Sequence, residues 1–363
     1  MLRNMNLPHS HRAALLVAIF LTLLFSQAAF PQSLENRLDS LLEGTFTDEG
    51  PGAVFLVAKA GEPVYRKAFG MANLELQVPM DTEMVFEIGS MTKQFTAMAV
   101  LLLEEQGKLS LDESITKYIP DYPVQGKTIT VHHLLTHTSG IKSFTSMKSL
   151  RTIERQDLSS SELLDFFKDE PMDFDPGAQF KYNNSGYVIL GYLIEQVSGQ
   201  SYADFVQTHI FQKLGMHASR YASHSELIPH RAYGYHQKEE YVNKTFVSTS
   251  LPYASGSLMS TVDDMLRWNG ALHSDQLISA EGRAKLFQNY ALDTGENIDY
   301  GYGWHISKVG KQLSYEHGGS IFGFKSMGVY LPEADIYVVG LSNCDCNSPT
   351  ALVRLMAELA LEY

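Results

Sequence analysis

Apolar positions along this chain follow three regimes, and their order predicts the architecture. In "SLENRLDSLLEG" Leu34, Leu38, Leu41 and Leu42 recur at helical spacing and Gly44 follows, the pattern of an amphipathic helix that stops there. Two strand-like runs come next, "GAVFLVAKAG" and "PVYRKAFG", divided by the turn formers Gly61-Glu62-Pro63. From Met91 to about Tyr290 the pattern is mainly helical, punctuated at Pro120-Asp121-Tyr122-Pro123, Asp175-Pro176-Gly177 and Gly199. Strands then return in "YGYGWHISKVG", "LSYEHGG", "GFKSMGVYLP" and "ADIYVVGLSN", and a last helix is expected from about Pro349 to Glu362. Hairpins rather than strand–helix–strand units imply a mainly antiparallel sheet. The predicted fold is therefore α/β: one sheet built from both chain ends (about 34–80 and 300–363), flanked by N- and C-terminal helices. A large helical region, about 91–290, is inserted between its two halves.

The first 28 residues stand apart. Arg3 and Arg12 flank a short basic start, Ala13 to Phe25 is almost purely apolar, and Ser26-Gln27-Ala28 offers small residues for cleavage. Such a segment reads as an export signal, which leaves 29–363 as the mature domain in the periplasm or outside the cell. Thirteen apolar residues are too few to span a bilayer, so no stable membrane anchor is expected; an uncleaved anchor is the alternative. Removal takes away two positive charges and no acid, which moves the net charge from −13 to −15. An acidic surface without a basic stripe repels phosphate backbones and excludes nucleic acid as a partner. Cys344 and Cys346 are the only cysteines. A bridge across one residue is unfavourable, so two thiols or a labile bond are expected rather than a structural staple.

Chemistry enters with Ser-x-x-Lys, which occurs three times: Ser90/Lys93, Ser114/Lys117 and Ser139/Lys142. Only the first opens a long apolar helix, Thr96 to Leu103; the second lies in a polar stretch ended by a proline, the third in "HTSGIKS", a loop. Residues i and i+3 share a helix face, so the Lys93 amine can reach the Ser90 hydroxyl. Both sit at the positive end of the helix dipole, and apolar surroundings lower a lysine pKa toward use as a base. The bland alternative is that Ser90 caps the helix and Lys93 is solvated.

Two further stretches carry polar groups next to structural punctuation. "KYNNSGYVILGYLIEQVSG" places Tyr182 and Asn184 two apart before another apolar helix, and in an extended segment both point to one side. "YEHGGSIFGF" puts His317 ahead of Gly318 and Gly319, whose missing side chains let a backbone approach a substrate closely. The plain readings are a packed tyrosine with a turn asparagine, and a glycine bulge beside a surface histidine. His133 and His137 have the i, i+4 spacing of a zinc pair but no glutamate after His133, so no metal is expected. No Gly-x-Ser-x-Gly elbow occurs. Tyr233, Tyr235, Tyr241 and Tyr253 either line an acyl pocket or pack half-buried.

Ser90-Met91-Thr92-Lys93, Tyr182-Asn183-Asn184 and His317-Gly318-Gly319, in this order, resemble the three motifs of the serine β-lactamases and penicillin-binding proteins. Tyr-x-Asn second and His-x-Gly third resemble the branch holding class C β-lactamases, D-aminopeptidases, D,D-peptidases and esterases. "LLTHTSGI", "ASGSLMSTVDDMLRW" and "YGYGW" extend the likeness over about 34–362. The resemblance implies a serine hydrolase working through an acyl-enzyme without metal or cofactor. Ser90 would be acylated, Lys93 its proton partner and Tyr182 a proton shuttle. Asn184 would bond Lys93 or the substrate, and the N–H groups of Ser90 and Ser320 would form the oxyanion hole. His317, Gly318 and Gly319 would contact substrate. Where many relatives have a carboxylate-binding lysine this chain has His317, which favours small esters or D-amino-acid peptides, including peptidoglycan fragments. A true β-lactamase, a D,D-peptidase and a non-catalytic sensor are the alternatives. Oligomeric state is left open.

Overall fold

In a computed structural model, which describes residues 33–363, the chain ends build the sheet. The export signal expected over 1–28 lies outside the described residues. Strands β1 (Ala53–Lys59) and β2 (Glu62–Phe69) form an N-terminal hairpin. Strands β3 (His305–Val309), β4 (Gln312–Ile321), β5 (Phe324–Leu331) and β6 (Ile336–Ser342) form a C-terminal meander. Together they make one antiparallel sheet ordered β3-β4-β5-β6-β1-β2, with β6 pairing β1 from Lys59/Ile336 to Ala53/Ser342. β1 is an interior strand covered on both faces, so its apolar run is continuous rather than alternating.

Each face is closed by helices. Ala53, Phe55 and Val57 join Leu34, Leu38 and Leu42 of helix α1 (Leu34–Leu42) in one apolar cluster. Met356, Ala357 and Ala360 of the C-terminal helix Thr350–Leu361 complete that cluster. Val54, Leu56 and Ala58 turn the other way, into the larger core around helix α2 (Thr92–Glu105). Every residue of α2 from Thr92 to Leu103 is buried, which explains a sequence apolar on all sides. Phe95 stacks on Trp268 at 4.2 Å, and the Trp268 indole N–H donates to Gln94 Oε1 at 2.9 Å.

The stretch 91–290 departs from the expected helical region in one segment. Leu258–Ser260 pairs with Phe86–Glu87 on one side and Arg220–Tyr221 on the other in a three-stranded sheet, and Tyr235–Gln237 pairs with Tyr241–Asn243. Pieces of two or three residues are too short to carry a period, and tertiary pairing alone selects them. The His133/His137 spacing dissolves likewise: the helix Val131–Leu135 ends before His137, which has φ +60°. His133 Nδ1 accepts from the Thr130 N–H. Cys344 and Cys346 are joined in a disulfide, so the expectation of two thiols is corrected in favour of its alternative, a bond across one residue.

Candidate active site

Ser90 sits in a single turn, Gly89–Met91, that leads directly into α2. Its hydroxyl caps neither that turn nor the helix, which removes the bland reading of the motif. Lys93, one turn on, is fully buried. Its Nζ lies 2.8 Å from Asn184 Oδ1, 2.8 Å from the Ser255 carbonyl and 3.2 Å from Ser90 Oγ. Two of these partners can only accept. A neutral amine has two N–H donors and one lone pair, so its donors are spoken for and the lone pair faces Ser90. Burial drives the Lys93 pKa well below its ordinary value, and no carboxylate stands by to restore it. The group at the mouth of the helix is thus a free base aimed at a hydroxyl.

Asn184 is the first residue of helix α3 (Asn184–Ser198), capped by the Asn183 side chain, which accepts from the Gly186 N–H. Tyr182 and Asn184 therefore do not share an extended segment, as expected from their spacing, yet both meet Lys93. The Lys93 amine lies 4.8 Å from the Tyr182 ring centre. Tyr182 Oη is buried without a hydrogen-bond partner. Burial raises its pKa and the nearby Ser90 pulls the other way, so the phenol keeps its proton and stands ready to exchange it.

Behind Tyr182 lies a relay of neutral rings. His137 packs on it at 4.4 Å between centroids and accepts at Nδ1 from the Asn183 N–H, so its proton is on Nε2, facing Tyr300 Oη at 3.2 Å. Tyr300 Oη in turn meets His317 Nε2 at 3.2 Å, and His317 Nδ1 donates to the Gly318 carbonyl. Burial holds both imidazoles well below the usual histidine range, aided by His305. Both nitrogens of His317 are thereby occupied within the protein.

The third motif shapes the backbone instead. The two-residue turn Phe322-Gly323 makes Ile321 and Phe324 a mutually bonded pair, so alternation turns the Ser320 N–H away from β5. On that side it meets the Ser90 turn. A Cβ at Gly89, where φ is +52°, would lie 2.9 Å from Ser320 N, and one at Gly319 would lie 2.0 Å from the Ile88 carbonyl oxygen. The Ser326 hydroxyl donates to that same carbonyl at 2.8 Å. Only glycines permit this approach. In front opens a cavity of about 430 Å³ whose wall includes Ser90, Asn184 and Ser320. Its apolar side is Phe144, Leu150, Leu251, Pro252, Ile321 and Phe322. None of the four tyrosines Tyr233, Tyr235, Tyr241 and Tyr253 belongs to this wall. Nor do His317, Gly318 and Gly319, which were expected to touch substrate: β4 runs inward from Ser320, and the Ile88 carbonyl lies against Gly319.

The arrangement matches a known one. The family model described as Beta-lactamase matches residues 38–361. The chain belongs to the beta-lactamase family. It is 31% identical to penicillin-binding protein 4* of Bacillus subtilis over 328 residues, covering 86% of this chain and 72% of that protein. Esterase EstB of Burkholderia gladioli is 34% identical over 199 residues, 51% of this chain and 50% of the esterase. The structure of D-amino acid amidase from Ochrobactrum anthropi SV3 complexed with L-phenylalanine superposes with a TM-score of 0.78 at 25% identity. That superposition covers 90% of this chain and 98% of the amidase. The chain is accordingly a serine hydrolase of this family.

Within the family frame the other two Ser-x-x-Lys copies are structural. Ser114 caps a short turn by accepting from the Thr116 N–H, and Lys117 pairs with Glu113 on the surface. Ser139 is buried and accepts from Ile141 N–H, while Lys142 pairs with Asp173. Three site residues escaped sequence reasoning. The Ser255 carbonyl carries no side-chain signal at all. Tyr300 lay in "YGYGW", marked only by its likeness to the family, and His137 in "LLTHTSGI", where its spacing to His133 pointed to a metal pair instead.

Proposed function

We propose that this chain is an exported hydrolase that cleaves small esters or amides, D-amino-acid peptides included, through an acyl-enzyme on Ser90. One observation carries the reading: the buried Lys93 amine lies 2.8 Å from two groups that can only accept, Asn184 Oδ1 and the Ser255 carbonyl, and 3.2 Å from Ser90 Oγ, so an unprotonated Lys93 has its lone pair left for that hydroxyl. In the proposed cycle Lys93 removes the Ser90 proton as the oxygen attacks the acyl carbon. Tyr182 passes a proton to the leaving group and then helps activate water for deacylation. The N–H groups of Ser90 and Ser320 receive the developing oxyanion. Asn184 holds Lys93 in place. Export rests on residues 1–28, and the N-terminal mass of the protein recovered from its native host tests it.

The relatives named for ester and D-amino acid amide chemistry support the substrate class, and so does the wall of the cavity. With His317 buried and neutral, no wall residue is a cation, and the cation at the rim, Lys325, is engaged by Ser320 Oγ, so a substrate carboxylate finds no charged anchor in the wall itself. A chromogenic cephalosporin should be a poor substrate beside p-nitrophenyl butyrate. Their kcat/KM ratio should be flat between about pH 5.5 and 8, because His317 stays neutral across that window. Cephalosporin turnover on the order of 10⁵ M⁻¹s⁻¹ or more would instead make the chain a β-lactamase.

Gly319→Ala provides a second check. Its methyl would meet Ile88 O and push β4 off the Ser90 turn, moving Ser320 N away from Ser90 N. Loss of one oxyanion donor lowers kcat by about 10²–10³, and the clash costs about 1–3 kcal/mol. Steady-state kinetics with p-nitrophenyl butyrate and a thermal melt measure both; near-normal kcat would remove Ser320 from the oxyanion role.

A further inference from the structure

We propose that Asp345 selects substrates bearing a protonated amine, so that the cavity takes ammonium-carrying esters or amides with an apolar body. The inference rests on the serine-hydrolase reading above. Asp345 lines the cavity that holds Ser90, and it is the one formally charged residue of that wall. The rest of the wall is apolar or uncharged, and a carboxylate there is best matched by a cation brought in by the ligand.

The carboxylate is held in place by its neighbours. His236 Nε2 accepts from the Thr245 N–H at 2.9 Å, so the imidazole carries its proton on Nδ1. From there it donates to Asp345 Oδ2, which orients the carboxylate. Oδ1 makes no hydrogen bond among the described residues, and the side chain is 34% exposed. The backbone is pinned as well: Asp345 N–H donates to the Tyr235 carbonyl, and the Cys344–Cys346 disulfide closes a small ring around the residue. Fixing a lone acid this firmly at a cavity wall preorganises it for a charged ligand. The cation at the rim, Lys325, donates to Ser320 Oγ at 2.8 Å, and no salt bridge joins it to Asp345. A substrate carboxylate, by contrast, would face Asp345 directly.

The test compares phenylalanine amide, in D and L forms, with 3-phenylpropionamide, which differs by the ammonium alone. For the wild type, kcat/KM should be about tenfold to a hundredfold higher for at least one phenylalanine amide, the range a charge-assisted hydrogen bond commands. An α-ammonium also makes a carbonyl intrinsically more reactive, so the deciding quantity is how that ratio changes in Asp345→Asn. It should fall about tenfold or more. A ratio at or below one in the wild type, or a ratio unchanged in Asp345→Asn, overturns the inference. Should the variant not fold, inhibition of the wild type by phenethylamine and 2-phenylethanol decides instead. The amine should act at a concentration about tenfold lower, and equal potency overturns the inference. Absence of both p-nitrophenyl butyrate turnover and fluorophosphonate labelling would sink the hydrolase reading itself, a separate result from any of these.

Discussion

Replacing Ser90 with alanine should abolish turnover and covalent labelling by a fluorophosphonate while leaving the fold intact. The hydroxyl is hydrogen-bonded to Lys93, lies near Tyr182 and caps no helix. Its loss costs about 1 kcal/mol, too little to unfold a domain whose stability is of order 5–15 kcal/mol. Intact mass spectrometry after labelling, beside a thermal melt, reads both halves of the expectation. A label that persists, or that maps to Ser114 or Ser139, would show that another copy of the motif carries the nucleophile. The placements of those two serines speak against it, since one caps a turn and the other is buried with its lysine in an ion pair.

The second large effect is expected at the base. Lys93→Met and Tyr182→Phe should each slow acylation by about 10²–10⁴-fold, the usual share of positioned proton transfer, with binding changed far less. Their combined effect should fall short of the product, because both serve one proton path. Stopped-flow acylation with p-nitrophenyl butyrate separates the steps. The pH profile gives an independent readout. Burial holds the Lys93 pKa well below its ordinary 10.5, so the free amine is present at a pH where an exposed lysine is charged. Acylation should therefore rise with pH through that lowered value and then level off. The plateau should reach into alkaline solution, because burial raises the Tyr182 pKa and keeps the phenol protonated. A rising limb near pH 10.5 would contradict a buried neutral base. Near-normal turnover in Lys93→Met would contradict the base itself.

Much of this molecule was legible before any coordinate. The strands at both ends, the apolar helix behind Ser90 and the long helix after Asn184 come from local signals: period, turn formers and caps. Such signals act over a few residues; one sheet built from both chain ends followed from strands bracketing a helical middle, while the register that sets Lys59 opposite Ile336 came only with the structure. Ser90 was chosen among three identical spacings because only its lysine sits on a helix apolar all round, and burial of Lys93 is the physical consequence of that run.

What the tertiary structure alone decided are relations between distant segments. The Ser255 carbonyl reaches Lys93 across 162 residues, with nothing in its side chain to mark it. His317 was read as a substrate contact because its motif stands where relatives place a cation. Only packing shows that Tyr300 and its own neighbour's carbonyl consume both nitrogens. The short strands at 220–221 and 258–260 carry no period and exist because partners arrive beside them. Asp345 likewise enters the cavity wall only through the sheet end that brings β6 beside the Ile321–Phe324 turn. Sequence fixes what each residue can do within a turn or two of chain. Which orphaned donor, charge or carbonyl it meets is set by long-range closure, whose contacts leave no periodic trace.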